Sequence, residues 1–241
     1  MDRKILQHEL DLLLAEWLIS GFTERENSIN WALSLMERGY QSENLYILAG
    51  LDADEGFSIE HYLERLIDDL QLERKNDENE LIYIYMSDIA YQVIEGKISP
   101  QKGLSIMEAI RIESYHSDFS IDIYQFSDLE EDISLIGEYQ LFYDGLTEEN
   151  TDTVIIQEMK MFLLEKAKNI QHIRNLIYCN KCKSFSQDKY VEKGWIIKNG
   201  GWYCKQCDSQ KYLCWHKVTD REEILKIAES DENGIYDIYS Q

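Results

Sequence analysis

Apolar residues recur along the first two-thirds of the chain at three- and four-residue steps, the period of a helix with one buried face. The first stripe is Ile5, Leu6, Leu10, Leu13, Leu14, Trp17 and Leu18, with Arg3, Lys4, Glu9 and Glu16 off it, and Gly21 is expected to end that helix. A second stripe, Ile29, Ala32, Leu33 and Met36, runs to a stop at Gly39. Ser42 is placed to cap a short helix carrying Leu45, Leu48 and Leu51, and Ser58 to cap one carrying Tyr62, Leu63, Leu66, Ile67 and Leu70. After the polar run 73–80 the spacing predicts a long helix over 81–98. Ser99 and Pro100 then open another through Leu104, Met107 and Ile110. Alternation of Phe119, Ile121 and Ile123 with Ser120, Asp122 and Tyr124 fits a short strand. Ser127 begins an acidic helical turn, and Thr147, Asn150 and Asp152 lead into a last long helix over 154–168. No unit of solenoid length repeats, so the expected architecture is mainly α, an irregular helical bundle.

Beyond residue 176 the period changes. Tyr190 to Lys198 reads as a strand, Asn199-Gly200 as a hairpin turn, Gly201-Trp202-Tyr203 as the returning strand, and 212–215 as a third. Two cysteine pairs frame this hairpin: Cys179-Asn-Lys-Cys182 and Cys204-Lys-Gln-Cys207, with 21 residues between them. Two residues between paired cysteines let a tight turn aim both sulfurs at one ion, and two such knuckles close a tetrahedral sphere. The segment 176–217 resembles a zinc ribbon. That resemblance implies a small C-terminal β zinc-ribbon domain with one closed, structural Zn2+ held by Cys179, Cys182, Cys204 and Cys207. Rubredoxin-type iron uses the same ligand geometry and stays open at this point. Cys214 and His216 read as a buried strand cysteine and a surface histidine, with a replacement knuckle ligand or a second site as the alternative.

Charge divides the chain at nearly the same place. The 241 residues, 44% hydrophobic and with a single proline, can bury a core, but 46 acidic against 24 basic side chains give a net charge of -22. That disfavours the whole molecule as a phosphate binder. Residues 1–175 hold 36 acidic and 14 basic side chains, 176–217 hold 3 and 8, and 218–241 hold 7 and 2. The expected organisation is an acidic helical domain over 1–172, the zinc-ribbon domain over 173–217, and an acidic C-terminal helix or tail over 218–241. No run of eighteen uncharged apolar residues occurs. Neither a signal peptide nor a membrane span is expected, and thiols grouped as metal ligands fit a cytoplasmic protein.

Signals for catalysis fail on inspection. His8, His61, His116 and His172 are scattered, with no HExxH, Gly-rich phosphate loop or GxSxG. Asp52-Ala-Asp54-Glu-Gly56 opens like a calcium loop, but its glycine stands at the fifth position and Leu63 at the twelfth, so a turn before a helix accounts for it. The chain is therefore expected not to be an enzyme. Tyr83, Tyr85, Tyr91, Phe142, Tyr139 and Tyr143 read as the rim of a helical core.

A dense negative surface without a catalytic constellation suits an interaction protein with a basic protein partner, and the acidic cluster Asp128, Glu130, Glu131 and Asp132 is the densest stretch for steering it. The stretch 31–51, from Trp31-Ala-Leu through Gly39-Tyr-Gln-Ser-Glu-Asn-Leu-Tyr-Ile-Leu-Ala-Gly-Leu51, is similar to segments of small acidic bacterial immunity proteins. That resemblance implies a cytoplasmic inhibitor covering the active site of a basic toxin. The alternative is a nucleic-acid-binding ribbon using Lys181, Lys183, Lys189, Lys193, Lys198, Lys205, Lys211 and Lys217 with exposed Trp195, Trp202 and Tyr203.

Overall fold

The computed structural model describes residues 3–19, 25–115, 124–139, 141–168, 173–193 and 199–230. Eight helices come first: α1 (Arg3–Ile19), α2 (Glu26–Glu37), α3 (Glu43–Ala49), α4 (Gly56–Asp69), α5 (Glu78–Ile94), α6 (Pro100–Tyr115), α7 (Tyr124–Ser134) and α8 (Thr151–Lys168). Five short strands follow: β1 (Ile177–Cys179), β2 (Ser184–Ser186), β3 (Asp188–Lys193), β4 (Asn199–Cys204) and β5 (Tyr212–Cys214). Helix α9 (Arg221–Ser230) completes the described chain. The fold is mainly α with a small C-terminal region of antiparallel strands, as the change of period predicts. No helix among the described residues is long and apolar enough to cross a membrane.

The chain forms two compact units. One comprises 1–88 and 109–122, the other 89–108 and 123–241, so α5 and α6 each contribute to both. In the first unit, Leu6, Leu10, Leu13, Leu14 and Trp17 of α1 pack with Trp31, Ala32 and Leu35 of α2, Leu45 and Leu48 of α3, and Ile59, Leu63, Leu66 and Ile67 of α4. Helix α2 is rotated from the expected stripe: Leu33 and Met36 are exposed while Trp31 and Leu35 are buried. The cause is polar. The Trp31 indole donates to Glu9 Oε2 at 3.0 Å, and Arg38 forks onto the same carboxylate at 2.8 and 2.9 Å. Turning Trp31 inward satisfies its N–H and buries the larger surface.

Ser42 Oγ accepts the Leu45 N–H at 3.1 Å and Ser99 Oγ the Lys102 N–H at 3.3 Å, each capping as expected. Ser58 does not cap. Helix α4 already begins at Gly56, where Arg25 lies against the backbone so closely that a Cβ would fall 1.6 Å from its Nη1. Asp77, read within a loop, accepts the Glu80 N–H at 3.2 Å, so α5 begins at Glu78. The predicted strand at 117–125 lies outside the described residues except for Tyr124 and Gln125, which begin α7. Gly21 lies outside them too.

In the second unit, strands order β2-β1-β5 in one antiparallel sheet, and β3 pairs with β4 in a separate hairpin. Asn199 and Gly200 are strand residues, opposite Lys193 and Glu192, rather than the turn. The unit crosses the expected boundary at 172, because α8 packs with the strands and α9. Met161, Ile173, Leu176, Phe185, Trp215, Ile224, Leu225 and Ala228 form one core. At its edge Glu158 is completely buried. Its Oε1 accepts from the Trp215 indole at 2.8 Å and from Arg221 at 2.9 Å, and its Oε2 lies 3.6 Å from Arg174. Arg221, also fully buried, lies 4.6 Å from the Tyr143 ring centroid and 4.5 Å from that of Trp215, and donates to the Trp215 carbonyl at 2.9 Å. The start of the expected acidic tail is thus part of a core.

Two expectations follow. Arg221→Ala leaves the Glu158 charge buried without its closest cation and should lower the unfolding free energy of this unit by about 3–5 kcal/mol, measured by chemical denaturation with near-UV dichroism. In the first unit, Arg38 holds Glu9 below the usual carboxylate range, against its burial. Its stabilisation is present above about 4.5, the ordinary value, and is lost as pH falls through the lowered one. The stability gap between the native chain and Glu9→Gln should therefore be full at pH 7 and close as the carboxylate protonates, read from urea denaturation across that range.

Candidate metal centre

Both cysteine knuckles adopt the same local geometry. In the first, Cys179 ends β1, the Cys182 N–H points at Cys179 Sγ at 3.5 Å, and the Lys183 N–H donates to the Cys179 carbonyl at 2.8 Å. In the second, Cys204 ends β4 and the Asp208 N–H donates to the Cys204 carbonyl at 3.0 Å. The residue after each second cysteine is left-handed, Lys183 at φ 58 and Asp208 at φ 58, although neither is glycine. That conformation closes the turn and brings the second sulfur back beside the first.

Pairing then joins the two knuckles. Cys179 lies opposite Ser184 on β2 and Tyr212 on β5, and Cys204 lies opposite Asp188 on β3. The Lys205 N–H donates to the Gln187 carbonyl at 3.0 Å, and the Asn180 N–H to the Lys211 carbonyl at 2.9 Å. As a result all four sulfurs lie within 4.8 Å of one another. Cys179 and Cys207 are 3.6 Å apart, Cys182 and Cys204 4.0 Å. A tetrahedral ion with metal–sulfur bonds of about 2.3 Å requires sulfur separations of about 3.8 Å. All five cysteines are free thiols, and these distances are far beyond a disulfide bond of about 2.05 Å. Cys179 and Cys204 are buried, and Cys182 and Cys207 half-buried, beneath Ile177, Tyr212 and Cys214.

The Cys179 and Cys182 thiols do not ionise independently. Burial pushes the Cys179 thiol up, but the Cys182 and Lys181 N–H groups and the neighbouring thiols bring it down to about 7. Cys182, with Cys207, Cys179 and Cys204 as neighbours, is pushed up to about 12. One thiolate forms readily and the next is opposed, an opposition that a bound divalent cation removes. The donor set therefore fits a metal.

Sequence reasoning located all four sulfurs. Cys214 lies half-buried beside the group but outside it, and His216 is exposed, its Nδ1 3.2 Å from the Phe142 carbonyl oxygen. Of the aromatics expected on the ribbon surface, Trp202 is exposed, Tyr203 is buried, and Trp195 lies outside the described residues. The acidic cluster on α7 is also not uniform: Asp132 is fully buried and accepts the N–H groups of Leu141, Phe142 and Tyr143 at 2.8, 2.9 and 2.7 Å. It anchors that loop, which leaves Glu130 and Glu131 as the exposed members. What sequence reasoning missed is Glu158 with Arg174, Trp215 and Arg221, whose pairing across 57 and 63 residues has no local signature.

Comparison with known protein families, with curated proteins and with solved structures finds no match.

Elemental analysis of the chain purified without added metal should find one tetrathiolate-bound ion per molecule. Cys182→Ser should weaken that site and loosen the strands. The reporter is Trp215, only 2% exposed, whose emission should shift to the red, whereas Trp202 is already 51% exposed and should respond little. Metal content near zero in the native chain contradicts this reading.

Proposed function

We propose that the chain is an interaction protein stabilised by one structural zinc ion, and that its acidic surface binds a basic protein in the manner of a cytoplasmic immunity protein that blocks a toxin. The observation carrying this reading is the distribution of charge. The first unit has 23 acidic and 8 basic side chains. Most of its described carboxylates, including Glu26, Glu37, Glu43, Asp54, Asp68 and Asp69, are exposed. Several of its cations are already engaged: Arg38 with Glu9, Arg74 with Glu64 and Lys75 with Glu80. Such a surface raises the encounter rate with a basic partner and repels acidic ones. Zinc suits the centre because four thiolates at tetrahedral spacing match its preferred coordination, and a sphere closed by four thiolates favours a structural role.

The nucleic-acid reading draws support from the exposed lysines Lys181, Lys183, Lys205 and Lys211. The hairpin register weakens it. Tyr190 stands opposite Trp202 on one face of the hairpin, while Lys189 stands opposite Tyr203 on the other and pairs with Asp208 at 2.6 Å. Among the described residues of the hairpin, phosphate-binding and base-stacking groups do not share a face.

The test is stopped-flow association with a basic protein encoded beside this chain. The on-rate should fall steeply as added salt shortens the Debye length from about 30 Å at 0.01 M to about 8 Å at 0.15 M. Glu130→Lys with Glu131→Lys should lower the on-rate more than it raises the off-rate. An on-rate indifferent to salt, or tighter binding to single-stranded nucleic acid than to any basic protein, overturns the proposal.

A further inference from the structure

The buried core of the second unit shows how this chain holds an arginine. The Arg221 guanidinium lies against the Tyr143 and Trp215 rings, with the Glu158 carboxylate closing the contact. A tyrosine, a tryptophan and a carboxylate recur together at the surface. On the β3–β4 hairpin, Tyr190 and Trp202 are a directly opposed pair, 53% and 51% exposed, with ring centroids 5.4 Å apart at 65°. Asp188, two residues before Tyr190 and therefore on the same face, is also exposed.

The surface pair is held in place. The Tyr190 ring crosses β4 over Gly200, where an added Cβ would fall 1.7 Å from the Tyr190 hydroxyl oxygen. Two large aromatics half in water are kept there at the expense of any side chain at residue 200. Among the described lysines of the hairpin, Lys189 belongs to the opposite face and is paired with Asp208, and Lys205, just after β4, donates to the Gln187 side chain at 2.9 Å.

We infer that Tyr190, Trp202 and Asp188 form a docking site for an arginine side chain of a basic polypeptide partner. This rests on the reading of the chain as an acidic interaction protein and deepens it by naming one contact. Because the two rings meet edge to face, they cannot sandwich a guanidinium as Tyr143 and Trp215 do. The cation instead stacks on the open face of one ring, with Asp188 within reach of its N–H groups. Arginine is favoured over lysine because its planar, weakly hydrated group stacks while donating sideways. Charge complementarity supplies the choice of partner: although 176–217 is itself rich in lysine, the unit that carries the hairpin holds 23 acidic against 16 basic side chains, and among the described side chains the exposed Asp188 is the charged group on this face.

The experiment titrates the full-length, metal-loaded protein with nona-arginine, nona-lysine and oligothymidylate, following indole and backbone N–H resonances. Nona-arginine should shift the Trp202 indole and the amides of Asp188 and Tyr190 in the native chain, a readout that needs no variant. Trp202→Leu should weaken nona-arginine binding about threefold to tenfold and leave nona-lysine binding little changed, with metal content confirming that the hairpin is intact. Trp202→Phe should recover part of the loss. If nona-arginine binds with a salt dependence and is weakened by Glu130→Lys and Glu131→Lys, yet neither shifts Trp202 nor responds to Trp202→Leu, this site is overturned while the acidic reading stands. If neither basic peptide binds, both fall. A larger Trp202 shift with oligothymidylate than with nona-arginine assigns the face to nucleic acid and also overturns the proposal.

Discussion

A carboxylate with no access to water has to be matched by cations and donors at fixed positions, and Glu158 imposes that demand on the second unit. Its partners come from three places in the chain: Arg174 just before β1, Trp215 just after β5, and Arg221 at the start of α9. Arg174 also forks onto Glu165. Burial opposes the charge on Arg174, yet Glu158 and Glu165 hold its pKa above the ordinary value. Such a network adds little stability relative to an apolar core of equal volume, but each member is costly to leave alone. Its effect here is orientation: α8, α9 and the segment before β1 are set so that Glu158 has a cation from each of Arg174 and Arg221.

The metal centre and the charge network meet through a short covalent and hydrogen-bonded path. Trp215 follows β5, β5 pairs with β1, and β1 ends in Cys179. The sheet is thus tied on one side by the buried ion pair and on the other by the cysteine cluster. Phe185, Leu176 and Trp215 bury one side of the sheet, but around the sulfurs there is little apolar substance, since the buried residues there are Ile177, Cys179 and Cys204. A region this small cannot pay for its backbone order by hydrophobic burial alone, and left-handed Lys183 and Asp208 add to the cost. A divalent ion held by the four thiolates would supply what the core lacks.

Legibility in the sequence followed the range of the interaction. Ser42, Ser99 and Gly39 act within one helical turn, and their roles could be read from their neighbours. The paired cysteines were equally plain, because each knuckle is a four-residue device. Errors arose where a distant partner overruled a local preference. Trp31 turned α2 because Glu9 and Arg38 wait on its inner side, and Asn199-Gly200 entered a strand because Tyr190 needs the space over a glycine. Asp132 looked like surface charge, yet three backbone N–H groups nine to eleven residues onward hold it inside. The expected boundary at 172 followed the shift in charge, whereas the compact unit follows Glu158, a residue whose pairing no window of sequence contains.

The same distinction bears on how the acidic surface is used. Long-range fields depend on net charge and tolerate changes in where each carboxylate sits, so recognition by charge alone selects a class of partner rather than one. Selectivity requires short-range groups whose positions the fold fixes. On the hairpin those are an aromatic pair set by strand register and a glycine, beside a carboxylate on the same face. Because β4 carries both Trp202 and, two residues later, Cys204 of the sulfur cluster, the position of the aromatic pair depends on the order of the second knuckle. On the proposed reading, the acidic surface would govern how often a basic partner arrives, and the hairpin, ordered with its sulfurs joined, how specifically it is held.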